Sequence, residues 1–539
     1  MATSEDRLAE EGADCDGAEV SAPRVRSIGG VLGVCGFFFC LMWPGLPLDL
    51  PQRKVAAVTA LTATLWITVA VPVGASSLLP AVLFPILGVI PAKSIGAHYM
   101  QDLVFLFLGA FVIALGLERW GVHRRIALFL LSRIGASPRR LVLGFMVATA
   151  FLSLWINNTA ATLLMLPIAT ATLAQACEGL DDPRARRHLS WCLLLGVAYS
   201  ASVGGVGTLV GTAPNQVFLG QFAARFPGAK APTFGEWFLG WMPLVLLFIP
   251  LAWWFLTAVM YPVPRQGGAA LEVVRAERAA AGPMSVAQRR MAALFALAAL
   301  AWVFRADLRL GDVTVPGWVR LVLGSAASDP AYYAAHRDDL SDATVALALA
   351  CLAFVIPAGG AARGPGGERV MLMDWRTAGR LPWDVLLLLG AGFCLAYGFK
   401  VTQLDAVFGR ALAPLFEGRS TWVIVAGVAL LVSFLTEVTS NTATTAVLMP
   451  VLGAAAVEAG LHPLLVMTPA TIAASAAFML PVATPPNAVV FASRRVPAPV
   501  MARAGFVLNL LAVALVTLVF QLWVRRVWGI GQVAPEWAQ

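Results

Sequence analysis

The chain reads as an all-α polytopic membrane protein of about eleven transmembrane helices plus two re-entrant helical hairpins, and three observations predict it. Hydrophobic residues make up 59% of the 539 and charged residues 13%, against about 45–50% and about 25% in soluble globular domains. Apolar runs near the ~20 residues needed to cross ~30 Å of hydrocarbon recur along the chain. The third observation is internal repetition. Ser153–Pro167, SLWINNTAATLLMLP, and Thr436–Pro450, TEVTSNTATTAVLMP, set the same polar knot in an apolar run, sharing Asn158/Asn441, Thr159/Thr442, Ala160/Ala443, Thr162/Thr445 and Pro167/Pro450. A hydroxyl precedes each knot, at Ser153 and Thr436, and a second matched loop follows each: Gly211-Thr212-Ala213-Pro214-Asn215 and Ala483-Thr484-Pro485-Pro486-Asn487.

Taken in order, residues 1–27 are polar and lack the short apolar core of a signal peptide, which predicts a disordered cytoplasmic tail. A first repeat, 28–260, opens with apolar spans at about 29–50, 55–73, 76–91 and 103–117. Glu118–Arg140 then carries seven Arg or His residues and belongs inside by the positive-inside rule. The stretch 141–176 is too long for one crossing and too short for two, breaks at Asn157-Asn158, and is basic on both flanks. It is expected to enter and leave on the same side as a re-entrant hairpin with Asn157–Thr159 at its tip. Non-helical backbone at membrane depth is tolerated only inside protein or along a wet cavity, so that tip should face a site. The next span, 190–222, is interrupted at Gly204–Gly207 and at Gly211–Pro214, where helices lose hydrogen bonds and break.

A basic loop, 261–290, is expected in the cytoplasm, and a second repeat follows over 291–530. Its hairpin, 421–460, and broken helix, 464–491, enter from the opposite face, so the repeats are inverted; residues 531–539 form an external tail. With this topology every strongly basic loop lies on one side of a cytoplasmic membrane.

Inverted repeats with discontinuous helices meeting near the midplane are the pattern of secondary transporters. A helix N-terminus offers free N–H groups and about half a positive charge, so a broken helix can hold an anion without Arg or Lys. No basic residue adjoins either knot, so a bound anion calls for a co-bound cation. Asn and Thr oxygens with unwound carbonyls are the hard ligands that a sodium ion takes. Single Asn and Thr residues in membrane helices often serve only helix–helix hydrogen bonds at about 1 kcal/mol or less, but two matched knots, each trailed by a broken helix, point to a site. Glu437 is either a proton or cation ligand, or it caps the hairpin's returning helix or pairs with a scaffold group, with the structural role favoured. The 17 Trp residues, Trp237, Trp241, Trp318, Trp383 and Trp528 among them, fit interfacial anchors. Cysteine spacing suggests neither disulfides nor a metal cluster. Arg falls in loop clusters rather than in a nucleic-acid surface, no nucleophile–base or metal motif suggests an enzyme, and hairpins entering from opposite sides suit alternating access rather than a channel.

These motifs resemble the divalent anion/sodium symporter family, carriers of di- and tricarboxylates or sulfate. Further similar stretches are Phe105–Phe111 (FLFLGAF), Trp120–Ala127 (WGVHRRIA), Gly282–Ser285 (GPMS), Ser341–Thr344 (SDAT) and Phe478–Asn487 (FMLPVATPPN), so the resemblance covers nearly the whole chain beyond the tail. It implies that Asn158, Thr159, Thr212, Asn441, Thr442, Thr484 and Pro485 hold a small dianionic substrate of the dicarboxylate kind. It implies Na⁺ as coupling ion at two or more sites, one from Ser153, Asn157, Asn158 and Gly211, the other from Thr436, Thr439, Asn441 and Ala483. It also implies a lipid-embedded homodimer and an elevator motion of a transport domain past a scaffold. Sodium-independent exchange, or sulfate or citrate as cargo, remain alternatives within the same fold. Two departures stand out: Asn157 replaces the usual Ser, and Ala213 stands where the second repeat has Pro485.

Overall fold

The computed structural model describes residues 23–134, 137–178, 180–265, 272–310, 313–359 and 369–538. It is mostly helical. The first half runs α1 (Pro23–Met42), α2 (Leu50–Thr68), α3 (Ala92–Tyr99), α4 (Asp102–Arg119), α5 (Val122–Ile134), α6 (Pro138–Ser153), α7 (Asn158–Glu178), α8 (Pro183–Gly204), α9 (Ala213–Arg225) and α10 (Phe234–Trp254). After α11 (Glu272–Ala280) and α12 (Val286–Val303), a small antiparallel pair, β1 (Leu308–Leu310) and β2 (Val313–Val315), sets Leu308 opposite Val315. The second half continues with α13 (Asp342–Val355), α14 (Trp383–Thr402), α15 (Leu404–Leu412), α16 (Thr421–Leu435), α17 (Asn441–Glu458), α18 (Leu464–Ala474), α19 (Pro485–Ala492) and α20 (Ala498–Val519).

Six of these helices, α7, α8, α10, α12, α14 and α20, are each long and apolar enough to cross a membrane, and α3 with α4, bent by 47°, makes a seventh candidate. Others, including α13, α16 and α18, are apolar but only 10–17 residues long. The about eleven spans expected from the sequence therefore meet six or seven helices that reach crossing length unaided. Most of the tail expected at 1–27 lies outside the described residues, and residues 23–27 already belong to α1. The loop expected at 261–290 contains α11.

Both broken segments interrupt at the matched polar motifs. α6 ends at Ser153 and α7 starts at Asn158; α16 ends at Leu435 and α17 starts at Asn441. Likewise α8 and α9 are separated by a 3₁₀ turn at Gly205–Gly207 and an unwound stretch, and α18 and α19 by residues 475–484. Packing then ties the halves together. α6 lies on α8 and α16 on α18, each within its own half, whereas α7 packs on α19 and α17 on α9, each across to the other.

Several short motifs are structural fasteners. Ser285 caps α12 in a capping box with Gln288, and Ser341 caps α13 through Thr344. The Arg125 guanidinium is gathered by the carbonyls of Ala281, Gly282 and Pro283, joining α5 to the loop before α12. Trp120 Nε1 donates to Leu372 O at 2.7 Å while Gln288 Nε2 donates to Trp120 O at 2.9 Å. Two tryptophans that composition suggested as lipid anchors are instead core: Trp237 and Trp241 are fully buried, and Trp237 Nε1 donates 3.0 Å to Val206 O in the first break.

The C-terminal segment, expected as an external tail, docks on the loop between α17 and α18. His462 N donates to Gln532 O (3.0 Å), Ala534 N donates to Gly460 O (2.9 Å), and the Trp537 ring sits edge-on to Phe222, Phe226 and His462. His462 Nδ1 accepts from Leu464 N at 3.2 Å, so the docked ring is neutral at that nitrogen. Burial, and secondarily the Arg525 charge, lower its pKa from 6.5 to about 4. Above the ordinary value the ring is neutral whether docked or not. Between about pH 6.5 and 4 the undocked form binds a proton that the docked form refuses, so docking weakens as pH falls. Amide exchange at His462 and Ala534, corrected for intrinsic pH dependence, is expected to speed up roughly thirtyfold between about pH 7.5 and pH 5. His462→Gln should flatten that response.

Candidate functional site

The first break is set by local capping. Asn157 Oδ1 accepts from Ala160 N at 2.7 Å, starting α7, and the residue lines a cavity of about 50 Å³ together with Trp155, Ala160 and Val210 and with Ala114 and Glu118 of α4. Behind it, Ser153 Oγ lies 2.7 Å from Asn158 Oδ1 and 2.6 Å from Ala201 O. Without an ion, only one orientation of the Asn158 amide satisfies its neighbours. Nitrogen-inward, it donates to Ser153 Oγ (2.7 Å), Ala201 O (3.1 Å) and Gly211 O (3.2 Å). Oxygen-inward, it completes a cage of four oxygens in which the Ser153 hydroxyl is the sole side-chain proton. Such an arrangement is satisfied by a small cation.

Glycine keeps this cage open. A Cβ at Gly205 would fall 2.5 Å from Asn158 Oδ1 and 2.9 Å from Gly211 O, and one at Gly211 would fall 2.4 Å from Gly205 O and 2.8 Å from Ser153 O. Asn157, by contrast, makes no hydrogen bond to the cage; its oxygen is engaged as the helix cap.

The second break repeats the construction. Thr436 Oγ1 lies 2.6 Å from Asn441 Oδ1 and 3.2 Å from Ala474 O. Ala201 sits in the last turn of α8 and Ala474 ends α18, so both clusters lie at the negative, C-terminal end of a half-helix, where a cation is favoured. The donor set of hydroxyl, amide oxygen and carbonyl fits sodium at both places. Thr439 is turned elsewhere: its hydroxyl donates to Leu435 O (2.8 Å) and lies 2.6 Å from Thr444 Oγ1. The amide of Ala483 donates to Leu480 O, and the residue stands just before the Thr484 cap of α19.

The substrate-side residues cluster at helix starts. Thr159 and Thr442 lie half-buried in the first turns of α7 and α17, and among the described residues neither hydroxyl has a protein partner. Thr212 is the N-cap of α9 without a side-chain cap bond, whereas Thr484 Oγ1 accepts from Asn487 N at 3.2 Å and Pro485 opens α19. The start of α17 is likewise uncapped by any side chain, and α17 packs on α9. Open helix N-termini on touching elements suit a carboxylate.

Several contributors were not assigned from sequence. Asn215 Nδ2 donates to Gly205, Val206 and Thr208 carbonyls (3.3, 3.3 and 2.8 Å), and Asn487 Nδ2 donates to Ala477 and Leu480 carbonyls (3.3 and 3.0 Å), so the last residue of each matched loop holds its break in shape. Their recurrence in both loops was the available signal. The Ala201 and Ala474 carbonyls left none, because a carbonyl belongs to every residue. Glu437, for which a cap on the hairpin's returning helix was one expectation, instead accepts from the unwound chain at residues 478–480.

Broken helices tied crosswise, oxygen cages at their C-terminal ends and open N-termini beside them define a secondary membrane transporter. The family description "Sodium:sulfate symporter transmembrane region" matches residues 34–530, and the chain belongs to this family, whose members are divalent anion/sodium symporters and not enzymes. It is similar to the sodium-dependent dicarboxylate transporter SdcS of Staphylococcus saprophyticus, 35% identical over 487 residues, covering 89% of this chain and 88% of that protein. SdcS of Staphylococcus aureus strain MSSA476 is 36% identical over 501 residues, covering 91% and 90%. Among solved structures, Neisseria gonorrhoeae MtrF aligns with TM-score 0.54 at 14% identity, over 93% of this chain and all of that one. The Alcanivorax borkumensis YdaH transporter aligns with TM-score 0.51 at 15% identity, over 83% and 89%. At such identities the two structures speak for the fold alone.

Proposed function

We propose that this protein is a sodium-coupled symporter of a C4-type dicarboxylate such as succinate, malate or fumarate. The observation that carries the reading is the pair of matched oxygen clusters, Ser153–Asn158–Ala201–Gly211 and Thr436–Asn441–Ala474, beside helix starts with no adjoining Lys or Arg. The names of the similar staphylococcal transporters support the same cargo and ion.

In this reading Asn158 and Asn441 couple the two cargoes. An amide oxygen turned toward a sodium ion turns its NH₂ group the other way, toward a substrate carboxylate. Thr159, Thr212, Thr442 and Thr484 add hydroxyls, Pro485 shapes the start of α19, and the open helix N-termini supply backbone N–H groups. Asn157, Thr439 and Ala483 complete the ion sites only after some rearrangement of the hydrogen bonds described above. Sodium offsets the charge of the dianion and links its entry to the ion gradient. The two halves act as inverted repeats whose hairpins enter from opposite faces of the cytoplasmic membrane, with the N-terminus inside and the C-terminus outside; the hairpins and broken helices move as an elevator within a homodimer.

The test is uptake of labelled succinate into proteoliposomes with inward Na⁺, inward K⁺, or succinate preloaded inside. Uptake is expected in the Na⁺ arm at roughly ten times the K⁺ arm or more, a coupling of about 1.4 kcal/mol. Uptake that needs only internal succinate would make the protein an exchanger. No uptake in any arm would reject the C4 cargo in favour of citrate or sulfate.

A further inference from the structure

We infer that Glu437 is a positioning residue whose buried negative charge strengthens the second cation cluster, so that the two clusters bind sodium unequally and the second fills first. This rests on the sodium reading above. Glu437 is 3% exposed. Its Oε1 accepts from Phe478 N (2.8 Å), Met479 N (2.9 Å) and Asn509 Nδ2 (2.7 Å), and its Oε2 accepts from Leu480 N (3.0 Å). Every partner is a donor, the pattern of an ionised carboxylate. Among the described residues no Lys, Arg or His forms an ion pair with it.

A charge held this way is solvated by dipoles but not neutralised, and a buried charge without a counterion is costly. The cluster of Thr436, Asn441 and Ala474 begins at the preceding residue, and the three clamped N–H groups belong to the same unwound stretch that follows Ala474. A cation bound there would sit on the residue next to Glu437 in the chain, where the carboxylate has no ion-pair partner of its own. α20 completes the clamp: Asn509, fully buried, also accepts from Phe478 N at 3.1 Å, and a Cβ at Gly505 would fall 2.2 Å from Phe478 O.

The first half has no such buried, clamped carboxylate: Glu118, which lines the cavity with Asn157, is partly exposed and lies 3.6 Å from the Arg380 guanidinium. Leu154 occupies the position of Glu437, and its break is held by neutral groups: Thr208 Oγ1 donates to Leu154 O and accepts from Gly211 N, with Asn215 and Trp237 donating alongside. Two cages of similar donors thus differ by one buried carboxylate that has no ion-pair partner among the described residues.

The test uses purified full-length protein, titrated with NaCl against KCl at constant ionic strength, reading the thermal unfolding midpoint and intrinsic tryptophan fluorescence. Wild type is expected to respond to Na⁺ in two steps. Glu437→Gln should raise the half-saturating Na⁺ of the tighter step roughly tenfold or more and leave the weaker step in place, the size expected for removing a unit charge about 10 Å from a cation at an effective dielectric of about 20. Glu437→Asp should shift the same step less. Asn509→Ala, which loosens the clamp but keeps the charge, should lower the midpoint without Na⁺ while retaining the tighter step. An unchanged tighter step in Glu437→Gln, or equal shifts in Glu437→Gln and Asn509→Ala, would overturn the inference. Should the Gln variant fail to fold, an unchanged tighter step in the Asp variant does so. A wild type that responds alike to Na⁺ and K⁺ would instead sink the sodium reading itself.

Discussion

Asn441→Ala is expected to cut sodium-driven succinate uptake at least about a hundredfold while the protein still folds. Two losses combine. The Asn441 oxygen 2.6 Å from Thr436 Oγ1 leaves the proposed second cation cluster, and the amide N–H groups proposed to face the substrate disappear with it. A hydrogen bond to a charged group contributes about 1.5–3 kcal/mol, and losing one together with an ion ligand reaches the ~2.7 kcal/mol that a hundredfold requires. The fold survives because Thr436 Oγ1 keeps the Ala474 carbonyl at 3.2 Å and Thr445 Oγ1 bonds the Asn441 backbone carbonyl rather than its side chain. Proteoliposome uptake alongside thermal unfolding measures both halves of the statement. Wild-type kinetics in this variant would remove Asn441 from the site.

Gly205→Ala should silence the first cluster with nearly as large an effect on transport. The new methyl would lie 2.5 Å from Asn158 Oδ1 and 2.9 Å from Gly211 O. One of these neighbours is backbone, and the other is held by the cage that a cation would fill, so neither yields freely. Overpacking of this kind costs about 1–3 kcal/mol of stability. Beyond that general cost, the weaker of the two sodium steps is expected to vanish while the tighter one persists. A variant that transports normally and keeps both steps would show that the first cage is not an ion site.

These two residues were legible to different degrees. Asn441 stands out because hydrocarbon makes a polar side chain costly, so an Asn-Thr pair inside an apolar run is conspicuous, and twice over it marks both breaks within a few residues of where the helices end. Gly205 shows in the sequence only as a member of a Gly-rich run. Its proximity to Asn158, 47 positions away in number, exists only once α6 packs on α8. Similarly, Asn157 reads as an ion ligand by position, yet its oxygen is engaged by Ala160 N as a helix cap. Trp237 and Trp241 read as lipid anchors from composition, but an indole at a span end serves a packed core equally well, and packing decides.

The amino-acid sequence by itself determined that this is a helical membrane protein built from two similar halves, where each half breaks, and which side chains carry polarity to the breaks. Those properties are local, and exclusion of polar groups from hydrocarbon writes them into the residue pattern. The tertiary structure alone decided which carbonyls join each cluster, that α7 and α17 touch the opposite half as well as their own, and that Glu437 clamps N–H groups 41–43 residues away. Backbone donors and acceptors are the same in every residue, so only the folded path of the chain selects which of them meet.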